Sequence, residues 1–232
     1  MRLGWAACAV ALWIASSLQA APCPVSRAWA EDAEGTSPRD HLDAERRALL
    51  LERPGRERSA RPDAVLAALR LEAGQVVGDV GTGTGYFARR FARAVGPKGT
   101  VYAVDIEPYL LDEARRRAEE EGLANIVPIL TGPEDSGLPE DSCDWIFLSH
   151  VYIHIADGVP YLEHLRTRLK PSGRIAVIGW EKGRYQPGLG PEDDRRLSGD
   201  QIAADLRAAG FEILEKLQVL PGKHFLIASP RP

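Results

Sequence analysis

The sequence predicts an α/β fold, a mostly parallel sheet with helices on both faces, and three observations predict it. Short apolar runs alternate with amphipathic stretches from residue 76 onward. A glycine loop, Asp79-Val80-Gly81-Thr82-Gly83-Thr84-Gly85, stands between the first run and the first amphipathic stretch. An acid, Asp105, closes the second run roughly 20 residues on, where a neighbouring strand end would carry it. Repeated strand–helix alternation makes the strands parallel, because each crossover helix packs back on the sheet.

Each element has a local reason. Residues 41–52 can wind as a helix, Pro54-Gly55 breaks it, and a basic stretch, Arg56-Glu57-Arg58, follows. Pro62 suits a helix first turn; Val65, Leu66 and Leu69 share one face, and Gly74 ends the element. Residues 76–80 form the first strand, and 86–95 a helix with Phe87, Phe91 and Val95 on one side. Gly96-Pro97-Lys98-Gly99 turns the chain into a second strand over 100–105. A helix over 108–121 stops at Gly122, and strands three and four occupy 126–130 and 144–149. Residues 159–169 form a helix with Leu162, Leu165 and Leu169 inward; Pro171-Ser172-Gly173 then turns into strand five, 174–180. Ser198-Gly199-Asp200-Gln201 has the form of a capping box and opens a helix to Ala209, which Gly210 ends. Residues 211–220 and 224–229 follow as strands with no helix between them, which allows antiparallel pairing around Pro221-Gly222.

A chain of 232 residues suits one domain with a sizeable core. Its 33 acids against 29 lysines and arginines give a net charge of -4, which argues against a general nucleic-acid binder. Cys8, Cys23 and Cys143 show neither zinc spacing nor a disulfide framework. Cys143, just before an apolar strand, reads as a buried structural thiol.

Residues 3–18 are mostly apolar behind Arg2, with small residues at Ala20 and at Ala28-Trp29-Ala30, the form of a secretory signal peptide. The run is short of the roughly 20 residues of a stable membrane span. The expected organisation is a leader over 1–30, a linker and N-terminal lid helix over 31–60, and the main domain over 61–232. The protein is exported or periplasmic if the leader functions, and cytoplasmic if the start is misassigned.

The glycine loop and Asp105 outline a nucleoside site, since a strand-end carboxylate can accept ribose hydroxyls. Dinucleotide enzymes space their glycines G-x-G-x-x-G; here the third comes one position early, at Gly85. Asp79, two residues before Gly81, would repel a pyrophosphate and would hold the ammonium of an amino-acid tail. S-adenosylmethionine carries both a ribose and such a tail.

Asp79 to Gly85, Val104-Asp105, Glu134-Asp135 and Leu169-Lys170-Pro171-Ser172-Gly173-Arg174 resemble, in order, the motifs of class I S-adenosylmethionine-dependent methyltransferases, over roughly residues 61–232. The last turn is similar to that of the branch containing quinone-biosynthesis and other small-molecule enzymes. The resemblance implies a Rossmann-like seven-stranded sheet whose last strand is antiparallel. It sets Gly81, Thr82, Gly83 and Gly85 along the methionine part of the cofactor, Asp79 at its amino group, Asp105 at the ribose and Ile106 on one adenine face. Relatives often have Gly-Asp-Ala at the third motif, whereas this chain has Gly132-Pro133-Glu134-Asp135; Glu134 or Asp135 meets the adenine amino group, Asp135 being preferred.

Methyl transfer from a sulfonium is an in-line displacement that depends mainly on alignment and needs no metal. A base for a small-molecule acceptor could project after strand four, where His150 and His154 are the candidates. Loop-fixing hydrogen bonds are the plainer role for both, and Tyr152 could shape the pocket. Trp180-Glu181-Lys182 follows strand five and could line the acceptor side. No Asn/Asp-Pro-Pro-Tyr segment or cysteine cluster points to base or arsenite methylation. Two other functions remain open: a catalytically silent S-adenosylmethionine-binding module and a nicotinamide-dependent oxidoreductase, the latter disfavoured by glycine spacing and Asp79.

Overall fold

The computed structural model describes residues 38–184 and 190–231, with side chains from residue 43 onward. The leader, its cut sites and most of the linker lie outside the described residues. Three N-terminal helices come first: α1 (Pro38–Leu51), α2 (Arg56–Ala60) and α3 (Pro62–Leu69). The alternating part follows as β1 (Val76–Val80), α4 (Tyr86–Val95), β2 (Thr100–Asp105), α5 (Pro108–Glu120), β3 (Ile126–Leu130), β4 (Cys143–Ser149), α6 (Gly158–Arg166) and β5 (Leu169–Trp180). It closes with α7 (Gly199–Ala208), β6 (Phe211–Leu217) and β7 (Lys223–Pro230). Among the described residues no helix is long and apolar enough to cross a membrane.

The strands form one seven-stranded sheet, ordered β3-β2-β1-β4-β5-β7-β6. Strands β1 to β5 are parallel, and β7 runs antiparallel to both β5 and β6, between them. The chain builds outward from β1 to β3, then returns to place β4 on the other side of β1. That reversal opens a crevice beyond the carboxyl ends of β1 and β4, where open α/β sheets bind ligands.

The sheet is buried on both faces, as parallel sheets must be. Alternation along β4 shows it: Trp145 and Phe147 pack into the core under α3 and α4, Ile146 and Leu148 into the core under α6 and α7. Phe147 anchors the first core, with ring centroids 4.9 Å from Phe87 and 5.0 Å from Phe91 on α4. The opposite core draws Leu162 and Leu165 from α6, and Ile202 and Leu206 from α7. Cys143 is buried there as a free thiol.

Several boundaries differ from the sequence reading for identifiable reasons. Helix α1 begins at Pro38 rather than residue 41, since proline fits a first turn. The basic stretch after the Pro54-Gly55 break, to which the sequence assigns no element, winds as a short helix, Arg56–Ala60. Pro171-Ser172-Gly173 lies inside β5 rather than before it. Leu169 already pairs with Cys143, and a register shift absorbs the extra residues before Arg174 pairs with Trp145, which makes β5 a bulged strand. Leu169 is therefore buried from a strand, α6 having ended at Arg166. The box at the start of α7 forms as expected: Gln201 N–H donates to Ser198 Oγ at 3.2 Å, and Ser198 N–H donates to Gln201 Oε1 at 2.8 Å.

Phe147→Ala removes the ring on which both α4 phenylalanines pack, and should cost about 3–5 kcal/mol in urea unfolding. Leu214→Ala, on an exposed side chain of β6, should stay within about 0.5 kcal/mol of the parent.

Candidate active site

The glycine loop leaves β1 and is tied at once to β2. Gly81 N–H and Thr82 N–H both donate to Val104 O, at 2.8 and 2.9 Å. Gly81, Gly83 and Gly85 have φ of 71°, 55° and 72°, the left-handed region that a Cβ disfavours. Protein side chains also press on the loop. A Cβ at Gly81 would lie 2.2 Å from Val151 Cγ2, and one at Gly83 2.8 Å from Leu51 Cδ1. The glycines thus admit close packing from the exit of β4 and the end of α1, beyond the ligand approach expected of them.

Two carboxylates flank this loop. Asp79 is 3% exposed. It accepts the Thr82 hydroxyl at 2.7 Å. Burial pushes its pKa up to about 7, with the charge of Asp105 adding to the shift and that of Arg56 opposing it. Among the described residues no lysine or arginine forms an ion pair with it. Asp105 accepts Gly83 N–H at 2.7 Å on one oxygen, and Ile106 N–H and Glu107 N–H at 2.8 and 3.1 Å on the other. Burial raises its pKa too, against those three bonds. Beside it, Ile106 is 61% exposed, an apolar side chain facing solvent at the strand tip.

The N-terminal helices clamp the loop from outside. Ala44 and Ala48 are buried where α1 packs on α5, and Arg47 reaches Glu107 at 2.7 Å. Glu52, just past α1, accepts the Thr84 hydroxyl at 2.6 Å and lies 3.2 Å from the buried Arg89 of α4. Arg89 also donates to Thr84 O at 2.7 Å and meets Glu121 at 3.0 Å. The helical period alone puts Arg89 near solvent; two acids from distant segments allow its burial, a pairing with no local signal in the sequence.

Glu134 and Asp135 lie on the loop after β3 and are exposed. The Asp135 carboxylate accepts Gly137 N–H at 2.9 Å and lies 3.1 Å from His164 Nε2 on α6. The Gly137 bond, then the His164 charge, hold its pKa below the usual range.

His150 follows β4 in a left-handed conformation, φ 62°, uncommon for a residue with a side chain. Its N–H donates to Ile178 O at 2.7 Å, and its ring lies 5.2 Å from that of Trp180 at the end of β5. Nδ1 is sealed from solvent with no hydrogen-bond partner. Burial first, then the charges of Lys223, His224 and Arg56, push its pKa well below the ordinary value, so the imidazole is neutral at pH 7. His154 is exposed on the short 3-10 turn that follows. Tyr152 does not shape the pocket: its hydroxyl donates to Asp205 of α7 at 3.0 Å, inside the opposite core.

Beyond His150 the edge turns basic. Antiparallel pairing sets Lys223 and His224 of β7 beside Trp180 and Gly179 of β5. The Lys223 ammonium lies 4.7 Å from the Trp180 ring centre and donates to Ser59 O. Arg56 stacks over the Tyr86 ring at 4.0 Å, and its charge is felt at both Asp79 and Lys223. The basic stretch around Arg56 was visible in the sequence; Lys223 and His224 were not, because only strand pairing brings them to this edge.

Raised by burial, Asp79 favours the folded state when protonated. Its contribution is full below the unfolded-state value of 3.8 and is lost as pH rises through about 7. Relative to Asp79→Asn, the parent should lose on the order of 1–4 kcal/mol across that interval in urea unfolding. A pH-independent difference would mean that Asp79 ionises freely.

Residues 77–173 match the family model described as a methyltransferase domain. Aklanonic acid methyltransferase DauC of Streptomyces sp. (strain C5) is 37% identical over 121 residues, 51% of this chain and 54% of DauC. Ubiquinone/menaquinone biosynthesis C-methyltransferase UbiE of Vibrio vulnificus (strain YJ016) is 32% identical over 115 residues, 49% of this chain and 44% of UbiE. The chain thus spans about half the length of the curated relatives it matches. A crystal structure of a SAM-dependent methyltransferase from Aquifex aeolicus superposes with a TM-score of 0.73 at 26% identity, covering 78% of this chain and 96% of that one. Over residues 77–173 the chain is similar to methyltransferase domains, and its seven-stranded sheet and the order of the motifs along it are like those of class I S-adenosylmethionine-dependent methyltransferases.

Proposed function

We propose that this protein transfers the methyl group of S-adenosylmethionine to a small-molecule acceptor. The carrying observation is Asp79, a buried carboxylate at the mouth of the glycine loop with no ion-pair partner among the described residues. A cationic amino-acid tail supplies the missing charge, whereas a pyrophosphate would face two acids, Asp79 buried and Asp105 half-buried. The donor set therefore suits S-adenosylmethionine and disfavours a nicotinamide dinucleotide.

Asp79 would hold the ammonium, with Thr82 fixing the carboxylate. Asp105 would take the ribose. Three N–H donors already occupy it, and a carboxylate offers about four lone-pair sites, so one hydroxyl is the natural complement. Ile106 offers an apolar surface for the adenine. Asp135 is engaged with Gly137 and His164, which leaves Glu134 as the freer carboxylate for the adenine amino group. Glu52 and Leu51, fastened on the loop, would exclude water from it as a lid.

S-adenosylmethionine supplies a methyl group already activated by its sulfonium. The protein's part is to align and to desolvate. His150, neutral at pH 7 and placed at the exit of β4, is positioned to orient an acceptor rather than to take its proton. Exposed His154 lacks such surroundings. A small acceptor fits the quinone and aklanonic acid chemistry in the names of UbiE and DauC.

Calorimetry with S-adenosylhomocysteine tests the reading. The parent should bind it and not NAD, and Asp79→Ala or Asp105→Ala should each weaken binding by roughly tenfold to a hundredfold. NAD binding without S-adenosylhomocysteine binding would overturn the assignment. A labelled-methyl screen against extracts separates turnover from silent binding.

A further inference from the structure

A cleft of about 130 Å³ lies against Trp180 at the carboxyl edge of β5 and β7. Arg58, Arg184 and Lys223 line it, with Pro221 and Trp180 as its apolar walls, and among the described residues no acid lines it. It adjoins a wider cleft of about 810 Å³ that shares Arg184 and Lys223 and gives a larger molecule room to extend.

The nearby acids are committed elsewhere. Glu181 accepts Gly199 N–H on both oxygens at 3.2 Å, at the start of α7. Asp193 accepts Gly183 N–H at 2.8 Å, and Glu57 pairs with Arg90 at 2.6 Å. None of the three cations lining the cleft pairs with a carboxylate among the described residues. Lys223 is the telling case: it is 6% exposed and donates to a backbone carbonyl. Burying a charge without a counter-charge is costly, so the cleft is built for an anion.

Its shape narrows the class. A cavity of ~150 Å³ admits a benzene-sized ring, so one ring fills this cleft. Two guanidinium groups suit the planar geometry of a carboxylate, and they also stack on rings. The His150 ring, 5.2 Å from Trp180, links the cleft to the exit of β4. A neutral, buried imidazole among cations is a weak base, and an acceptor that arrives ionised makes no demand on it.

We propose that this cleft is the acceptor subsite and that it takes a planar aromatic acid as its anion. The inference rests on the methyl-transfer reading above, since that reading makes this edge the acceptor side.

The test uses the full chain with S-adenosylhomocysteine present, and salicylate as the probe followed by ligand-observed NMR. Salicylate should bind about tenfold more tightly than benzamide, which lacks the charge, and than cyclohexanecarboxylate, which lacks the planar ring. Arg184→Gln and Lys223→Gln should each weaken salicylate by about tenfold while leaving S-adenosylhomocysteine affinity unchanged. Arg184 is exposed, so its variant reports even if the Lys223 variant fails to fold. Absent salicylate binding, equal binding of benzamide or cyclohexanecarboxylate, or equally tight displacement by inorganic phosphate would each overturn the proposal. Loss of S-adenosylhomocysteine binding by the parent would instead sink the cofactor reading, and the two failures are read separately.

Discussion

The hydrogen bond from Gly83 N–H to the Asp105 carboxylate holds the business end of this molecule together. It joins the tip of β2 to the glycine loop of β1. Two loop N–H groups donating to Val104 O complete the joint. A half-buried acid would be costly if its oxygens lacked donors. Three backbone donors satisfy it, and in return the loop is held in a left-handed path that only glycine follows without strain. Asp79 lies beneath the same loop with fewer partners, and that imbalance gives the site its appetite for a cation.

The outer clamp has a similar logic. Glu52 reaches from α1 to Thr84 in the loop and to Arg89 on α4, so one carboxylate couples the N-terminal helices to the nucleoside side. Arg89 is buried because Glu52 and Glu121 converge on it from segments far apart in sequence. Removing either partner would leave charge uncompensated in a dry place, the expensive way to break a buried pair. The same clamp presses Leu51 on Gly83 and leaves Leu49 and Leu50 exposed on α1.

Across the crevice the electrostatics reverse. Acids surround the loop; cations gather around Trp180, with Arg56 between the two. A methyl donor with a zwitterionic tail suits the first field, and an anionic acceptor suits the second. The fold alone does not specify this. What the molecule does is set by side chains placed on the sheet.

Much of this was readable in the chain. Gly81, Gly83 and Gly85 between an apolar run and an amphipathic one, with Asp79 before and Asp105 beyond, named the loop, its helix and its acids, because those features depend on neighbours close in sequence. The capping box at Ser198 was legible for the same reason. The bulge in β5 was not, since Pro171-Ser172-Gly173 has turn chemistry and only pairing with β4 on either side of it makes one strand of the two parts. Nor was the engagement of Asp135 with His164, or the burial of Arg89. Sequence by itself determined the alternation of elements, the glycine loop and the acids beside it, all properties of local pattern. Tertiary structure decided which distant side chains meet: Glu52 with Arg89, and Lys223 with Trp180. Burial and pairing across the sheet depend on the folded path, and no local pattern records that path.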